Sequence, residues 1–184
     1  MSLSIEKKHR LWVLLVLACV AAILPACGME EESHVNEAET LELGDVGYRV
    51  QITRFLNPSD IEDAQYLEGQ PVPPPPGKAY LGVFMRVFNE GDSAFRVPAY
   101  DQFHVEDTSG TKYEPVSQRT VFSLDPGTSI PPGADLPQPE SAAGSGPTGG
   151  ALLLFLVNTG IGENRPIELL IASDGNKGSI ELDI

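Results

Sequence analysis

Cys27 is the one residue of this chain whose type and position single it out for covalent chemistry. It ends the stretch Leu24-Pro25-Ala26-Cys27 and is followed by Gly28, so a small residue stands immediately before the thiol. A thiolate is a strong nucleophile and can take up a thioether-linked group. The remaining candidates are fewer than a catalytic centre requires. Cys19 lies inside an apolar run, His9 precedes that run, and His34 falls in a glutamate-rich stretch. Only His104 lies where strands are expected, and alternation puts it opposite Phe103 and Val105, toward solvent. A Ser-His-Asp triad would have to be built on His104, and no Gly-x-Ser-x-Gly turn exists to hold the serine. Zinc would lack the further nitrogen or sulfur ligands it needs. Asp60, Glu62 and Asp63 form one carboxylate cluster and Asp101, Glu106 and Asp107 another. Neither has the Asp-x-Asn/Asp-x-Asn/Asp-Gly spacing of a calcium loop. Gly144, Gly146 and Gly149 match a dinucleotide fingerprint by letters, but they precede a strand and open no helix, so the amide cradle is missing. The chain is thus expected to hold no catalytic residue, no metal ligand and no cofactor.

The segment around Cys27 has its own order. Lys7, Lys8 and Arg10 precede an unbroken apolar run from Leu11 to Leu24, the arrangement of an export signal. Fourteen residues at about 1.5 Å each span roughly 21 Å, short of a hydrocarbon core of about 30 Å, and Pro25 ends the run. With Cys27 at the cleavage point the segment resembles the lipobox of bacterial lipoproteins, although Pro25 stands where that motif more often has Ala, Ser or Thr. The resemblance implies that residues 1–26 are removed and that Cys27 becomes a diacylglyceryl-modified N-terminus. Ordinary signal cleavage and an uncleaved anchor are the alternatives. All three put the folded part outside the cytoplasm, and the lipidated form would sit on the outer face of a bacterial cell membrane or on an outer membrane.

Charge excludes one class of partner. Glu6, Lys7, Lys8 and Arg10 leave with the leader, taking the net charge from −14 to −16. Such a surface repels phosphate, because nucleic-acid binding needs Lys and Arg to displace counterions. The removal of Cys19 and modification of Cys27 also leave no thiol for a disulfide, so burial and sheet hydrogen bonds must hold the fold.

Residues 27–39 read as an acidic tether, since Glu30, Glu31, Glu32, Glu37 and Glu39 come with almost no apolar content. From Thr40 to Ile184 the pattern has period two. In Ala79–Asn89, Leu81, Val83, Met85 and Val87 make one apolar face, and Tyr80, Phe84, Arg86 and Phe88 make a mixed one. Gly150 to Val157 is apolar on both faces, as a central strand would be. Seven or eight such strands with Gly, Pro, Asn and Asp between them predict an all-β, immunoglobulin-like antiparallel sandwich. Ser59 and Glu62 have capping-box spacing for a short helix. Pro71–Gly77 should be an extended polyproline II loop, open to a PxxP-binding partner or simply a stiff connection. Ser141–Gly149 should be mobile.

Two stretches carry a second resemblance. Tyr80 to Gly91 leads to Phe103-His104-Val105-Glu106-Asp107 and Gly110-Thr111-Lys112-Tyr113. Pro132-Gly133 leads to Gly150-Ala151-Leu152-Leu153-Leu154-Phe155. In this order they resemble a bacterial family of exported, often lipid-anchored, immunoglobulin-like domains of unknown function, similar in architecture to the secreted mycobacterial immunoprotective antigen. The resemblance implies a fold and a compartment and supplies no active site. The function expected is a non-catalytic surface module, anchored to the membrane through Cys27 and meeting an unidentified protein or small ligand through its loops. A calcium- or small-ligand-binding lipoprotein is the alternative.

Overall fold

In the computed structural model, which describes residues 33–184, the alternating segments form two packed sheets. One has the strand order β1–β12–β11–β6–β7, the other β10–β4–β3–β2. The first is built from β1 (Ser33–Asn36), β6 (Phe103–Asp107), β7 (Lys112–Tyr113), β11 (Ile167–Ser173) and β12 (Asn176–Leu182). The second is built from β2 (Thr40–Leu43), β3 (Val46–Leu56), β4 (Lys78–Asn89) and β10 (Ala151–Asn158). Short β9 (Asp135–Leu136) adds to β4, and β5 (Phe95–Arg96) pairs with β8 (Ser129–Ile130). Every pairing is antiparallel except β1 with β12, which is parallel. The expected all-β sandwich is therefore present, with more strands than expected because the extra ones are short.

The core lies where the period-two pattern puts it. Leu81, Val83, Met85 and Val87 of β4 face Phe103, Val105, Leu169, Ile171 and Ile180 of the other sheet, all buried. Tyr48 crosses the gap, stacking edge-on against Phe103 at 6.5 Å and donating its hydroxyl to Ser173 Oγ at 2.8 Å. Burial pushes the Tyr48 hydroxyl up to about 12, so it stays a neutral donor. A bulge between Val50 and Ile52 in β3 keeps the faces in step, with Thr53 opposite Val83 and Phe55 opposite Leu81.

β10 is an edge strand of its sheet and not a central one. It is apolar on both faces because a second cluster covers the outer side, where Leu152 and Leu154 pack with Leu56, Tyr66, Leu67, Tyr80 and Phe84. Its free edge is closed by loop backbone: Leu152 N donates to Phe122 O at 2.7 Å, and Val116 N to Leu154 O at 2.7 Å.

The insertion after β3 supplies the lid of that second cluster. Its helix α1 spans Ile61–Tyr66 and is capped by Asp60, whose Oδ1 accepts from Glu62 N at 2.8 Å. The expected cap at Ser59 is thus one residue early; an Asp side chain is an equally good acceptor at this position. Tyr66 packs edge-on against Phe84 at 5.0 Å and Phe122 at 4.8 Å. Arg54 lies over the Tyr66 and Phe84 rings and bonds Asp63 at 2.6 Å, and Asp63 Oδ2 accepts from Asn57 N at 2.7 Å. Asp63 is buried while the Arg54 side chain is 31% exposed, so removing Arg54 strands a carboxylate in an apolar setting. Arg54→Ala should cost about 3 kcal/mol, the lower end of the range for broken buried pairs. Urea titration checks this; a loss below 0.5 kcal/mol on the order of a surface pair would contradict it.

Two segments depart from the sequence reading. Ser33–Asn36, assigned to the tether, is strand β1. It pairs in register with β12, and Gly178 makes room for it: a Cβ there would lie 2.7 Å from Ser33 O. Ser141–Gly149 holds the short helix α2 (Ala142–Ser145), with Ser141 Oγ accepting from Gly144 N at 3.0 Å and Ala143 buried. Gly144 permits the packing, since a Cβ there would sit 2.0 Å from Gln138 O. The proline run is exposed as expected. The leader, Cys27 and the tether up to Glu32 lie outside the described residues.

Candidate interaction surfaces

Polar side chains gather on the outer face of the β1–β12–β11–β6–β7 sheet, in two rows set by the register. One row runs His34, Ser179, Leu170, His104, and the next Asn36, Glu181, Glu168, Glu106, Lys112. His34 Nδ1 lies 2.9 Å from Ser179 Oγ and 3.5 Å from Glu168, and its Nε2 is 3.9 Å from Glu181. Lys112 Nζ meets Glu106 at 3.1 Å. Like charges opposite one another on a sheet repel, and Lys112 at one end of the glutamate row offsets part of this. A serine, a histidine and carboxylates thus meet where the sequence reading placed only a tether. Val35 is the single apolar residue of β1, so no alternation could have disclosed this contact.

The arrangement does not make a nucleophile. Ser179 is buried beneath His34 on a regular strand, and the 3.9 Å from Nε2 to Glu181 is longer than the hydrogen bond that orients a catalytic base. His104 is half-buried and not fully solvent-facing, because Leu170 on the neighbouring strand packs beside it. Its Nδ1 has no hydrogen-bond partner among the described residues. Three strand spacings of about 4.8 Å, roughly 14 Å, separate it from His34, so the two imidazoles do not converge.

The carboxylate clusters are occupied by structural work. Asp60 caps α1 and Asp63 holds Arg54. Asp107 Oδ1 accepts from Ser109 N at 2.9 Å and Thr111 N at 3.1 Å, closing the turn into β7. Among the described residues no three His, Cys, Asp or Glu side chains converge as a metal site. The hydrogen bond from the Ser109 side chain, helped by the Ser109 and Thr111 amides, holds the Asp107 carboxyl below its usual value against the opposing effect of burial. A lowered folded-state value means that Asp107 contributes stability above about pH 4 and loses it as the pH falls further. Melting curves across that range should show a shallower acid limb for Asp107→Asn than for wild type; parallel limbs would contradict this.

Two hollows open at opposite ends of the sandwich. One, of about 270 Å³, is lined by the β2–β3 turn (Gly44, Asp45), Asn89 and Gly91 after β4, and Asp174 and Asn176 of the β11–β12 turn. Asn89 is structural there: its Nδ2 donates to Ser93 O at 2.8 Å and Ile130 O at 2.9 Å. The other, of about 380 Å³, is lined by Glu37, Ala38, Arg165, Pro166, Leu182 and Asp183, among others. Glu37 clamps it, accepting from Thr53 N and Asp183 N, both at 3.0 Å.

No family model and no curated protein matches the sequence. Solved structures do match the fold. The yjhA protein of Bacillus subtilis superposes with a TM-score of 0.52 at 12% identity, covering 81% of this chain and 99% of that one. The ycdA protein of Bacillus subtilis subsp. subtilis str. 168, described as a "putative lipoprotein", gives 0.51 at 13% identity over 80% of this chain, which spans only 39% of its length. MPT63, a secreted protein from Mycobacterium tuberculosis, gives 0.49 at 14% identity over 83% of this chain and 98% of that one. Identities this low speak for the β-sandwich alone.

Proposed function

We propose that this protein is a non-catalytic, extracytoplasmic accessory module, anchored by lipid on Cys27 and engaging a protein partner through its loops. The observation that carries the reading is the position of the first described strand: β1 begins six residues after Cys27, so a processed leader would be followed almost at once by the sandwich. The use of Asp60, Asp63 and Asp107 in a cap, an ion pair and a turn supports the absence of chemistry. The exposed Pro71–Pro76 loop and the groove beside Arg165 are surfaces open to a partner.

Cell fractionation tests the reading. Wild type should sediment with membranes, and Cys27→Ser should pass to the soluble extracytoplasmic fraction or accumulate as full-length precursor. Identical distribution of the two proteins would contradict it. The acidic surface further predicts no retention on DNA near physiological salt.

A further inference from the structure

We infer that the membrane faces the end of the sandwich that carries the β2–β3, β4–β5 and β11–β12 turns. The end carrying the α1 insertion, the Asn158–Ile167 connection and the Glu37–Arg165 groove then points away from it. The inference rests on the lipid anchor proposed above and adds a direction to it.

The register of β1 supplies the argument. Ser33 pairs with Gly178, only two residues beyond Asn176, and Asn176 lines the hollow with Gly44, Asp45, Asn89 and Asp174. A chain coming from Cys27 therefore enters at that end. From Cys27 to Ser33 there are six peptide units, which reach at most about 22 Å when fully extended. The polar headgroup layer uses up several ångströms of that reach.

The height of the sandwich is larger. The 12 residues of β4 run from Lys78, opposite Asn158 at one end, to Asn89 at the other, a rise of about 40 Å. Turning the domain over would hold Ser33 roughly 33 Å from the surface, one pleat repeat short of the full strand. The connection cannot span that. Lying flat is opposed by charge, since the mature surface carries −16 and the near end itself presents Asp45, Glu90, Asp92 and Asp174 against Lys177. These repel anionic headgroups and favour a domain that stands off the bilayer. The surfaces turned outward are then Pro71–Pro76, whose flanking Gly77 carbonyl accepts from Thr159 N at 3.1 Å, and the groove at Arg165.

The domain contains no cysteine after Cys27, so a single added thiol can be labelled selectively. Asp92→Cys places one on the exposed β4–β5 loop and Glu163→Cys one on the exposed far connection. Each variant, full-length and membrane-associated, is labelled with a thiol-reactive donor dye, and energy transfer is read to an acceptor carried on lipid headgroups. Both sites are exposed, and a cooperative melt verifies that each variant is folded. Transfer at Asp92→Cys should exceed that at Glu163→Cys at least threefold. Equal or reversed transfer, with protein still released by Cys27→Ser, would overturn the orientation and leave the anchor standing. Loss of transfer at both sites, with fractionation unaffected by Cys27→Ser, would overturn the anchor and the orientation together.

Discussion

Val83→Asp is expected to abolish folding. Val83 is 0% exposed at the middle of β4, opposite Thr53 on β3 and Leu153 on β10, and its side chain points between the sheets. Among the described residues no Lys or Arg is buried to pair with a carboxylate there. An uncompensated buried charge costs several kcal/mol or so, comparable to the whole stability of a domain of this size. The variant should be insoluble or show no cooperative transition, while Val83→Ile, which keeps the chemistry, stays folded with a loss of about 1 kcal/mol from overpacking. A soluble Val83→Asp protein that melts near wild type would mean that β4 presents its other face to the core.

Phe84→Ala should produce the next largest loss, and a local one. Phe84 is 0% exposed but faces away from Val83, anchoring the second cluster through Tyr66 and Leu152 and carrying Arg54 on its ring. Truncating a buried Phe costs about 3–5 kcal/mol. Because the cluster lies outside the main core, the loss should fall first on what it holds down. Hydrogen exchange should accelerate over Ile61–Tyr66 and Val116–Phe122 while β11 and β12 remain protected. Uniform acceleration across both sheets would show that the two clusters unfold as one.

Strong alternation made much of this fold legible. In β4 one face is wholly apolar and the other mixed, and the structure buries Leu81, Val83, Met85 and Val87 while Arg86 lies on the opposite face. The Asp174-Gly175-Asn176 turn likewise joins β11 to β12 where expected. What escaped the reading depends on partners distant in sequence. β1 has almost no apolar content and owes its place to backbone pairing with β12, to His34 against Ser179, and to glutamates that accept backbone donors. Glu39 takes the Asn36 amide at 2.8 Å, and Glu37 ties Thr53 to Asp183. In sequence these glutamates resemble a solvated spacer; in space their carboxylates act as acceptors for strand ends. The helix in the glycine-rich segment is hidden for the same kind of reason, since Gly144 is required by the Gln138 carbonyl against it and not by local flexibility. Double-sided burial of β10 was readable from its composition, but not that a loop would seal its edge. Of the candidate site, Cys27 stands out in the sequence by its neighbours and lies outside the described residues. The exposed proline loop was readable, but the groove beside Arg165 was not, because it forms between segments distant in sequence.

The chemical state of the mature N-terminus tests the account most directly. Mass spectrometry of the purified membrane-bound protein should find a chain that starts at Cys27, lacks residues 1–26, and carries diacylglycerol in thioether linkage on that cysteine. A chain that retains Met1, or one that begins elsewhere with an unmodified thiol at Cys27, would contradict it.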